Sequence, residues 1–292
     1  MKIEKWLELN TETLKGKTVA ITGSTGGLGK DISRYLASLG ADLILVDRSR
    51  ERSETNRDRL IAYYPDVRVS CINADLSDID SVKVATDKLK HLKPDVFIHN
   101  AGAYSIPRCK TSIGYDNVFT INFISPYYMI RELLPTLRER GGRVVVVGSI
   151  AHNYSRIDES DIDFSTRRAS SKVYGNAKRY LMFSLYELFE CEREVSLAVT
   201  HPGITFTNIT AHYPPLIYAI IKNPMKIIFM RSDKAALSIL RGVFENTEHS
   251  TWIGPRVFGI WGLPKKSRLT TCKCDESAKI GQIAGQIYNE IK

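Results

Sequence analysis

Six short apolar runs alternate along this chain with longer amphipathic segments. The runs are KTVAIT, ADLILVD, VRVSCI, DVFIH, GRVVVVG and VSLAVT, and they are nearly continuous in Val, Ile and Leu. Strands of this composition are covered on both faces, which is typical of parallel sheets. The alternation therefore predicts repeated βαβ units in an α/β fold, a doubly wound parallel sheet of about seven strands with helices on both faces.

We expect a single domain over residues 1–292, because a doubly wound fold of this length builds one core. A last strand is predicted near 250–254. It is followed by a C-terminal extension over 255–292, which contains an irregular basic stretch and a closing helix from about Glu276. The other helices are predicted, within two to four residues, at 27–39, 50–62, 78–90, 113–138, 171–191 and 233–246.

The formal net charge is +9, from 41 Lys and Arg against 32 Asp and Glu. Such a balance suits an anionic partner, a membrane surface or a phosphate-bearing ligand, but the charges are scattered with both signs interleaved. No groove-binding motif is present, so we expect no nucleic-acid partner.

The five cysteines are scattered and odd in number, which favours a reducing compartment. The C-x-C pair of Cys272 and Cys274 has no His-rich partner segment, so no metal site is expected. The N-terminus MKIEKWLELN lacks an apolar h-region, and no apolar run is long enough for a transmembrane span. We expect a cytoplasmic protein, with peripheral membrane contact left open.

A glycine-rich run follows the first apolar run and precedes a predicted helix. Its sequence, T-G-S-T-G-G-L-G over 22–29, places glycines where the backbone turns sharply and approaches a pyrophosphate. The helix N-terminus adds amide donors and the positive end of a dipole. The run predicts a Rossmann-type dinucleotide site that contains Gly23, Ser24, Thr25, Gly27, Leu28 and Gly29.

Asp47 ends the second apolar run, 18 residues after Gly29. A carboxylate there can accept hydrogen bonds from the adenine ribose, and it would repel a 2′-phosphate, which favours NAD. Arg48 argues for NADP, because a guanidinium binds phosphate bidentately. We expect NAD, with NADP as the alternative.

Tyr174 and Lys178 lie four residues apart in Y-G-N-A-K on a predicted helix, so their side chains share a face. A nearby ammonium favours the phenolate of Tyr174, which is the predicted acid/base. Ser149 ends the fifth run at the carboxyl edge of the sheet, where ligands of doubly wound folds bind. Its hydroxyl is predicted to hydrogen-bond the substrate oxygen.

These motifs together resemble the short-chain dehydrogenase/reductase family, and the resemblance covers about 14–210. It implies further cofactor contacts from an adenine-contacting pair, an N-A-G motif and a P-G motif followed by two threonines. The residues are Asp75 and Leu76, Asn100, Ala101 and Gly102, and Pro202, Gly203, Thr205 and Thr207.

The resemblance implies an NAD(P)-dependent oxidoreductase that transfers a hydride between nicotinamide and a carbonyl or alcohol. Its catalytic residues would be Asn122, Ser149, Tyr174 and Lys178. Asn122 would help to hold a water that links Lys178 to solvent, and Lys178 would also bind the nicotinamide ribose. This chain differs from many members of the family in one position near the site: Gly148 stands where they have a second Ser.

The interval of 25 residues between Ser149 and Tyr174 exceeds the family's commonest spacing. This long acidic interval resembles the retinol-dehydrogenase-like branch and implies a lipophilic substrate. The apolar segment 209–230 is expected to form a substrate lid, or else to pack on its own scaffold or on a partner subunit. The helices at 113–138 and 171–191 would form the interface of a homo-dimer or homo-tetramer.

Three other functions compete with this interpretation. The main alternative is a non-catalytic NAD(P)-binding sensor. A membrane-surface or nucleic-acid-binding protein would use the charge, and its binding would be sensitive to salt. An epimerase or dehydratase would need a larger C-terminal substrate domain.

Overall fold

The computed structural model describes residues 2–205 and 229–292 of the chain. Its strands are β1 (Thr18–Thr22), β2 (Asp42–Asp47), β3 (Val69–Asn73), β4 (Val96–His99), β5 (Arg143–Val147), β6 (Ser196–Thr200), β7 (Thr251–Val257) and β8 (Trp261–Arg268). Its α-helices are α1 (Ile3–Asn10), α2 (Gly27–Ser38), α3 (Arg50–Tyr63), α4 (Ile79–Leu92), α5 (Asn117–Phe119), α6 (Ser125–Arg138), α7 (Ser170–Glu190), α8 (Ser232–Phe244) and α9 (Cys274–Ile291). A π-helical turn (Thr120–Ile124) joins α5 to α6, and a 3₁₀ turn (Ile150–Tyr154) follows β5.

The strands form one sheet in the order β3-β2-β1-β4-β5-β6-β7-β8. Neighbouring strands from β3 to β7 pair in parallel, whereas β8 pairs antiparallel with β7. The strand order reverses between β1 and β4, which opens a crevice at the carboxyl ends of these strands. The predicted doubly wound α/β fold is confirmed.

Strands β1 to β6 supply both layers of the core, because successive side chains point to opposite faces of a sheet. In β1, Ala20 packs in the layer that contains α4, α6, α7 and α9, whereas Val19 and Ile21 pack in the layer that contains α2 and α8. Both layers are apolar and buried, which explains why the strands read as continuous apolar runs rather than alternating ones.

Three elements differ from the sequence prediction. The helix expected from 113 begins at Asn117, because the carboxylate of Asp116 accepts hydrogen bonds from the amides of Val118 (2.9 Å) and Phe119 (3.3 Å) and so caps it. The predicted irregular basic stretch is wrong, since strand β8 lies there and pairs with β7 although it lacks an apolar period. Helix α1 was not predicted, and Trp6 buries it against the core at 2% exposure.

Thr207 and most of the expected lid at 209–230 lie outside the described residues. Among the helices of the described ranges, none has the length and apolar composition that crossing a membrane requires.

Helix α9 lies against α7 and α6, the helices predicted to form a subunit interface. A buried ion pair holds it there: Arg179 is 2% exposed and its Nε donates to Oε1 of Glu276 at 2.6 Å. Arg179 also donates to the carbonyls of His152 (3.1 Å) and Thr271 (3.2 Å). The C-terminal extension is therefore anchored behind helix α7.

Breaking this ion pair on one side should strongly destabilise the fold. Glu276→Leu leaves the Arg179 guanidinium buried without a counter-charge, and we expect it to lower the free energy of unfolding by about 3–5 kcal/mol. The double variant Arg179→Leu/Glu276→Leu should lose less than that single variant. Urea unfolding measures both, with Glu54→Leu at the exposed Arg50–Glu54 pair as the control. A Glu276→Leu protein as stable as the Glu54→Leu protein would contradict the assignment.

Candidate functional site

Four loops meet at the carboxyl edge of the sheet because the strands that precede them are parallel and in register. Thr22 at the end of β1 aligns with His99 at the end of β4. His99 aligns with Val146 of β5, and Val147 aligns with Thr200 of β6. The loops that begin at 23, 100, 148 and 201 therefore start side by side, and they carry most of the predicted site residues.

The glycine-rich loop makes close contacts that leave no room for side chains. Gly23 has a φ of +72°, and a Cβ there would lie 2.9 Å from the Cα of Ala101. A Cβ on Gly29 would lie 2.0 Å from the carbonyl oxygen of Gly23, whereas a Cβ on Gly27 would meet no atom of residues 2–205 or 229–292 within 4 Å. The loop is thus tightly folded on its protein side and open at the first residue of α2. This open helix N-terminus fits a pyrophosphate.

Asn100 ties β4 to β1 at the crevice. Its Nδ2 donates to the carbonyls of Thr22 (3.1 Å) and Gly23 (3.0 Å). The backbone amides of Asn100 and Ala101 both donate to the Thr22 hydroxyl at 3.1 Å. Asn100 and Ala101 therefore shape the glycine-rich loop from the side of the neighbouring strand.

Asp47 is buried at 4% exposure and is engaged by the protein itself. Its Oδ2 accepts hydrogen bonds from the hydroxyls of Ser24 (2.6 Å) and Ser53 (3.0 Å), and its Oδ1 accepts from the amide (3.2 Å) and hydroxyl (3.3 Å) of Thr25. These four donors use the usual capacity of a carboxylate.

Two exposed arginines lie close in the chain to Asp47. Arg48 follows Asp47 directly and is exposed. Arg52 is also exposed, and its Nη2 donates to the carbonyl of Thr25 at 3.3 Å, which places a guanidinium beside the glycine-rich loop. Two exposed arginine residues are therefore available at this end of the crevice.

Asp75 and Leu76 follow β3, at the same edge of the sheet. The Oδ1 of Asp75 accepts hydrogen bonds from the amide (2.9 Å) and hydroxyl (2.7 Å) of Ser77. Leu76 is buried, and its carbonyl accepts a hydrogen bond from the Ser125 hydroxyl at 2.7 Å. This pair is therefore fastened to the start of α6.

Tyr174, Lys178 and Ser149 form one cluster. The Nζ of Lys178 lies 5.7 Å from the centroid of the Tyr174 ring and donates to the carbonyl of Val147 at 2.8 Å. Burial raises the pKa of Tyr174 to about 12, against the lowering effect of a hydrogen bond to Ser149, while the neighbouring Tyr104 raises it further. Burial lowers the pKa of Lys178 to about 7.

Gly102 lies between Lys178 and Asn122. A Cβ on Gly102 would sit 2.7 Å from Oδ1 of Asn122 and 3.6 Å from Nζ of Lys178. Asn122 is fully buried in the π-helical turn, and its Nδ2 donates to the carbonyls of Ala103 and Val118, both at 2.8 Å. Its amide thus holds the segment after Gly102 close to the Lys178 ammonium.

The loop after β6 packs against the C-terminal extension. Gly203 has a φ of +81°, and a Cβ there would lie 2.5 Å from the carbonyl oxygen of Ile260. Thr205 is buried at 7% exposure and forms an isolated β-bridge with Met230. Pro202 precedes this turn and is partly buried.

Three buried histidines near the site were not predicted. Nδ1 of His99 lies 3.1 Å from the Thr22 hydroxyl, and burial and the charge of Lys178 hold the pKa of His99 well below its usual range. Nδ1 of His152 lies 2.6 Å from the Ser149 carbonyl. The ring of His201 stacks on Trp252 at 4.8 Å, and burial lowers its pKa to about 3. Their only signal in the sequence is that each stands next to, or within three residues of, a predicted site residue.

Comparisons with known proteins show which family and fold this chain resembles. The short chain dehydrogenase family model matches residues 17–161. Retinol dehydrogenase 12 of Mus musculus is 30% identical over 204 residues, 68% of this chain and 64% of that protein. The chloroplastic short-chain dehydrogenase TIC 32 A of Brassica napus is 29% identical over 213 residues, 68% of this chain and 67% of that protein. The crystal structure of an uncharacterized protein from Mycobacterium Paratuberculosis shares the fold, with a TM-score of 0.78, 24% identity and 96% of each chain covered.

Two glycines of the loop should respond differently to the same substitution. In Gly29→Ala the new methyl group would overlap the Gly23 carbonyl, so we expect the free energy of unfolding to fall by about 1–3 kcal/mol. In Gly27→Ala the methyl group meets no atom of the described part of the chain, and alanine suits a helix better, so stability should stay or rise by about 0.5–1 kcal/mol. Urea unfolding of the cofactor-free protein measures both. Equal losses in the two variants would refute the loop geometry.

Proposed function

We infer from these comparisons that the chain belongs to the short-chain dehydrogenase/reductase family and resembles its retinol-dehydrogenase-like members. It is therefore an NAD(P)-dependent oxidoreductase acting on CH–OH and C=O groups. We propose that the residues performing the reaction are Tyr174, Lys178, Ser149 and Asn122. The observation that carries the proposal is the buried Lys178 ammonium beside the Tyr174 ring. A protein that only sensed the cofactor would have no need of this cluster.

NAD(P)(H) bound in the crevice supplies or accepts the hydride. The open N-terminus of α2 at Gly27 would hold the pyrophosphate. Among the described residues, Lys178 donates to one acceptor, the Val147 carbonyl at 2.8 Å. An ammonium has three donors, so two remain for the hydroxyls of a ribose.

Tyr174 acts as the proton donor when a carbonyl is reduced. With its pKa raised to about 12, the phenol keeps its proton at neutral pH and gives it to the oxygen as negative charge develops there. Ser149, which hydrogen-bonds Tyr174, donates to the same oxygen. In the reverse direction Tyr174 must lose its proton, which requires a positive charge nearby.

Lys178 returns the proton. A buried amine whose pKa lies at about 7 takes up and releases a proton near neutral pH. Asn122 holds Ala103 and so fixes the exposed Gly102 beside the Lys178 ammonium. A water bound at Gly102 would link this ammonium to solvent. Asn122 is therefore a positioning residue for this route.

We propose NADP(H) as the preferred cofactor. Asp47 favoured NAD in the sequence, but its oxygens already accept four hydrogen bonds from Ser24, Thr25 and Ser53. The exposed arginines, Arg48 and Arg52, leave a positive charge for a 2′-phosphate. We also propose that the other cofactor-binding residues predicted from the sequence contact the bound NADP(H).

We propose a lipophilic carbonyl or alcohol as the substrate. Tyr174 packs with Ile106 against an apolar cluster of Val118, Phe164 and Val173. An apolar wall beside the proton donor favours an apolar substituent on the reacting carbon. The likeness to a retinol dehydrogenase supports the same substrate class.

Removing the Tyr174 hydroxyl should abolish turnover and leave cofactor binding intact. We expect Tyr174→Phe to lower kcat by about 10²–10⁴-fold, the usual contribution of acid/base catalysis. NADPH consumption with a panel of lipophilic aldehydes and ketones measures kcat, and nucleotide fluorescence measures binding. Tyr180→Phe is the matched control, because this buried hydroxyl on the same helix has no hydrogen-bond partner in the described ranges. Cofactor binding without turnover in the wild type would instead support the sensor.

Neutralising Arg48 should weaken NADPH binding and leave NADH binding unchanged. Loss of a charge-assisted contact to the 2′-phosphate costs about 1.5–3 kcal/mol, so we expect Kd for NADPH to rise roughly ten-fold or more in Arg48→Ser. Arg50→Ser is the control, because Arg50 is exposed but pairs with Glu54. Tighter binding of NADH than of NADPH by the wild type would overturn this cofactor choice.

A further inference from the structure

The β7–β8 hairpin presents apolar side chains to solvent at its tip. Phe258 is 84% exposed, and Val257 and Trp261 beside it are 38% and 39% exposed. Large exposed aromatic residues usually mark a contact surface, particularly when apolar neighbours adjoin them.

The backbone of the turn makes Phe258 costly for folding. The Ile260 amide donates to the Val257 carbonyl at 2.9 Å, and both central residues have positive φ, +51° at Phe258 and +69° at Gly259. Turns of this kind favour Asn and Gly, since a bulky side chain is strained there. Because Phe258 is exposed, packing within the chain does not offset this strain.

Cations surround the tip. Between Glu248 and Asp275 the chain has five basic residues and no Asp or Glu. Lys266 pairs with Glu248, but Arg256, Lys265 and Arg268 are exposed and form no ion pair with any residue of 2–205 or 229–292. Such a tip is complementary to a surface whose outer layer is negatively charged and whose interior is apolar: the cations match the charge, and the aromatic side chain matches the interior.

We propose that the hairpin tip docks on the surface of an anionic lipid bilayer, with Phe258 inserted below the headgroups and Arg256 and Lys265 at the lipid phosphates. A second copy of the chain fits less well. A stable protein interface buries about 800 Å² per partner, whereas one aromatic side chain offers about 150–250 Å². Lysines along the exposed edge of β8 also oppose strand pairing between copies.

Docking would bring the mouth of the site to the bilayer. The carbonyl of Ile260 lies 2.5 Å from the position of a Cβ on Gly203, so the turn packs against the loop after β6. A lipophilic substrate could then enter from the lipid, but the docking itself does not depend on the proposed activity.

Vesicle flotation of the full chain tests the proposal. We expect binding to vesicles of an equal mixture of phosphatidylcholine and phosphatidylserine, and little binding to phosphatidylcholine alone. Phe258→Asn should lower the partition coefficient about ten-fold. Arg256→Glu/Lys265→Glu should lower it by at least as much, and added salt should weaken wild-type binding. Asn suits the positive φ, so Phe258→Asn should fold as well as the wild type by thermal unfolding.

Matched controls change the same chemistry on the other half of the sheet. Tyr63→Asn removes a 72% exposed aromatic residue at the end of α3, and Arg59→Glu/Lys88→Glu reverses two exposed charges on α3 and α4. Both controls should bind like the wild type. Absent binding to anionic vesicles, or equal binding by Phe258→Asn, would overturn the proposal. Self-association that depends on Phe258 without vesicle binding would overturn it in favour of a second copy.

Discussion

The side-chain amide of Asn100 joins the ends of β1 and β4 at the point where the strand order reverses. The loops that follow the two strands leave toward opposite faces of the sheet at such a point, and the backbone carbonyls that face the crevice need donors. Asn100 supplies two hydrogen bonds, to Thr22 and Gly23, and it leaves the glycine-rich loop free to face a ligand. The positions of Gly29 and of the start of α2 follow from this loop.

The other half of the site depends on the C-terminal extension. Arg179 lies directly after Lys178 in α7, and it binds Glu276 of α9 and the His152 carbonyl. The ring of His152 in turn contacts the Ser149 carbonyl and the Thr271 hydroxyl. The segment before α9 thus supports the backbone of Ser149 and the helix of Tyr174 from behind. Because α9 covers α7 and part of α6, less of these helices is available for the predicted oligomer interface.

Lys178 and Arg179 are adjacent buried cations in opposite electrostatic settings. Arg179 has a carboxylate partner and stays a fixed structural charge. Within 2–205 and 229–292, Lys178 has only the Val147 carbonyl as a partner, and burial brings its pKa to about 7, where its proton is exchangeable. A lysine paired with a carboxylate would hold its proton too firmly for the relay that we propose.

The sequence by itself determined the parallel sheet, the glycine-rich loop and the spacing of Tyr174 and Lys178, because these depend on local periodicity and on residues close together in the chain. Only the tertiary structure decided the partners of Asp47, since Ser24 and Ser53 reach it from separate segments. Strand β8 also became visible only in the structure, because it forms by pairing with β7 and its sequence has no apolar period. The same holds for the contact of Arg179 with Glu276, which lies 97 residues away in the chain. Contacts between distant segments depend on how helices and strands pack together, and this packing produces no periodic pattern in the sequence from which the contacts could be predicted.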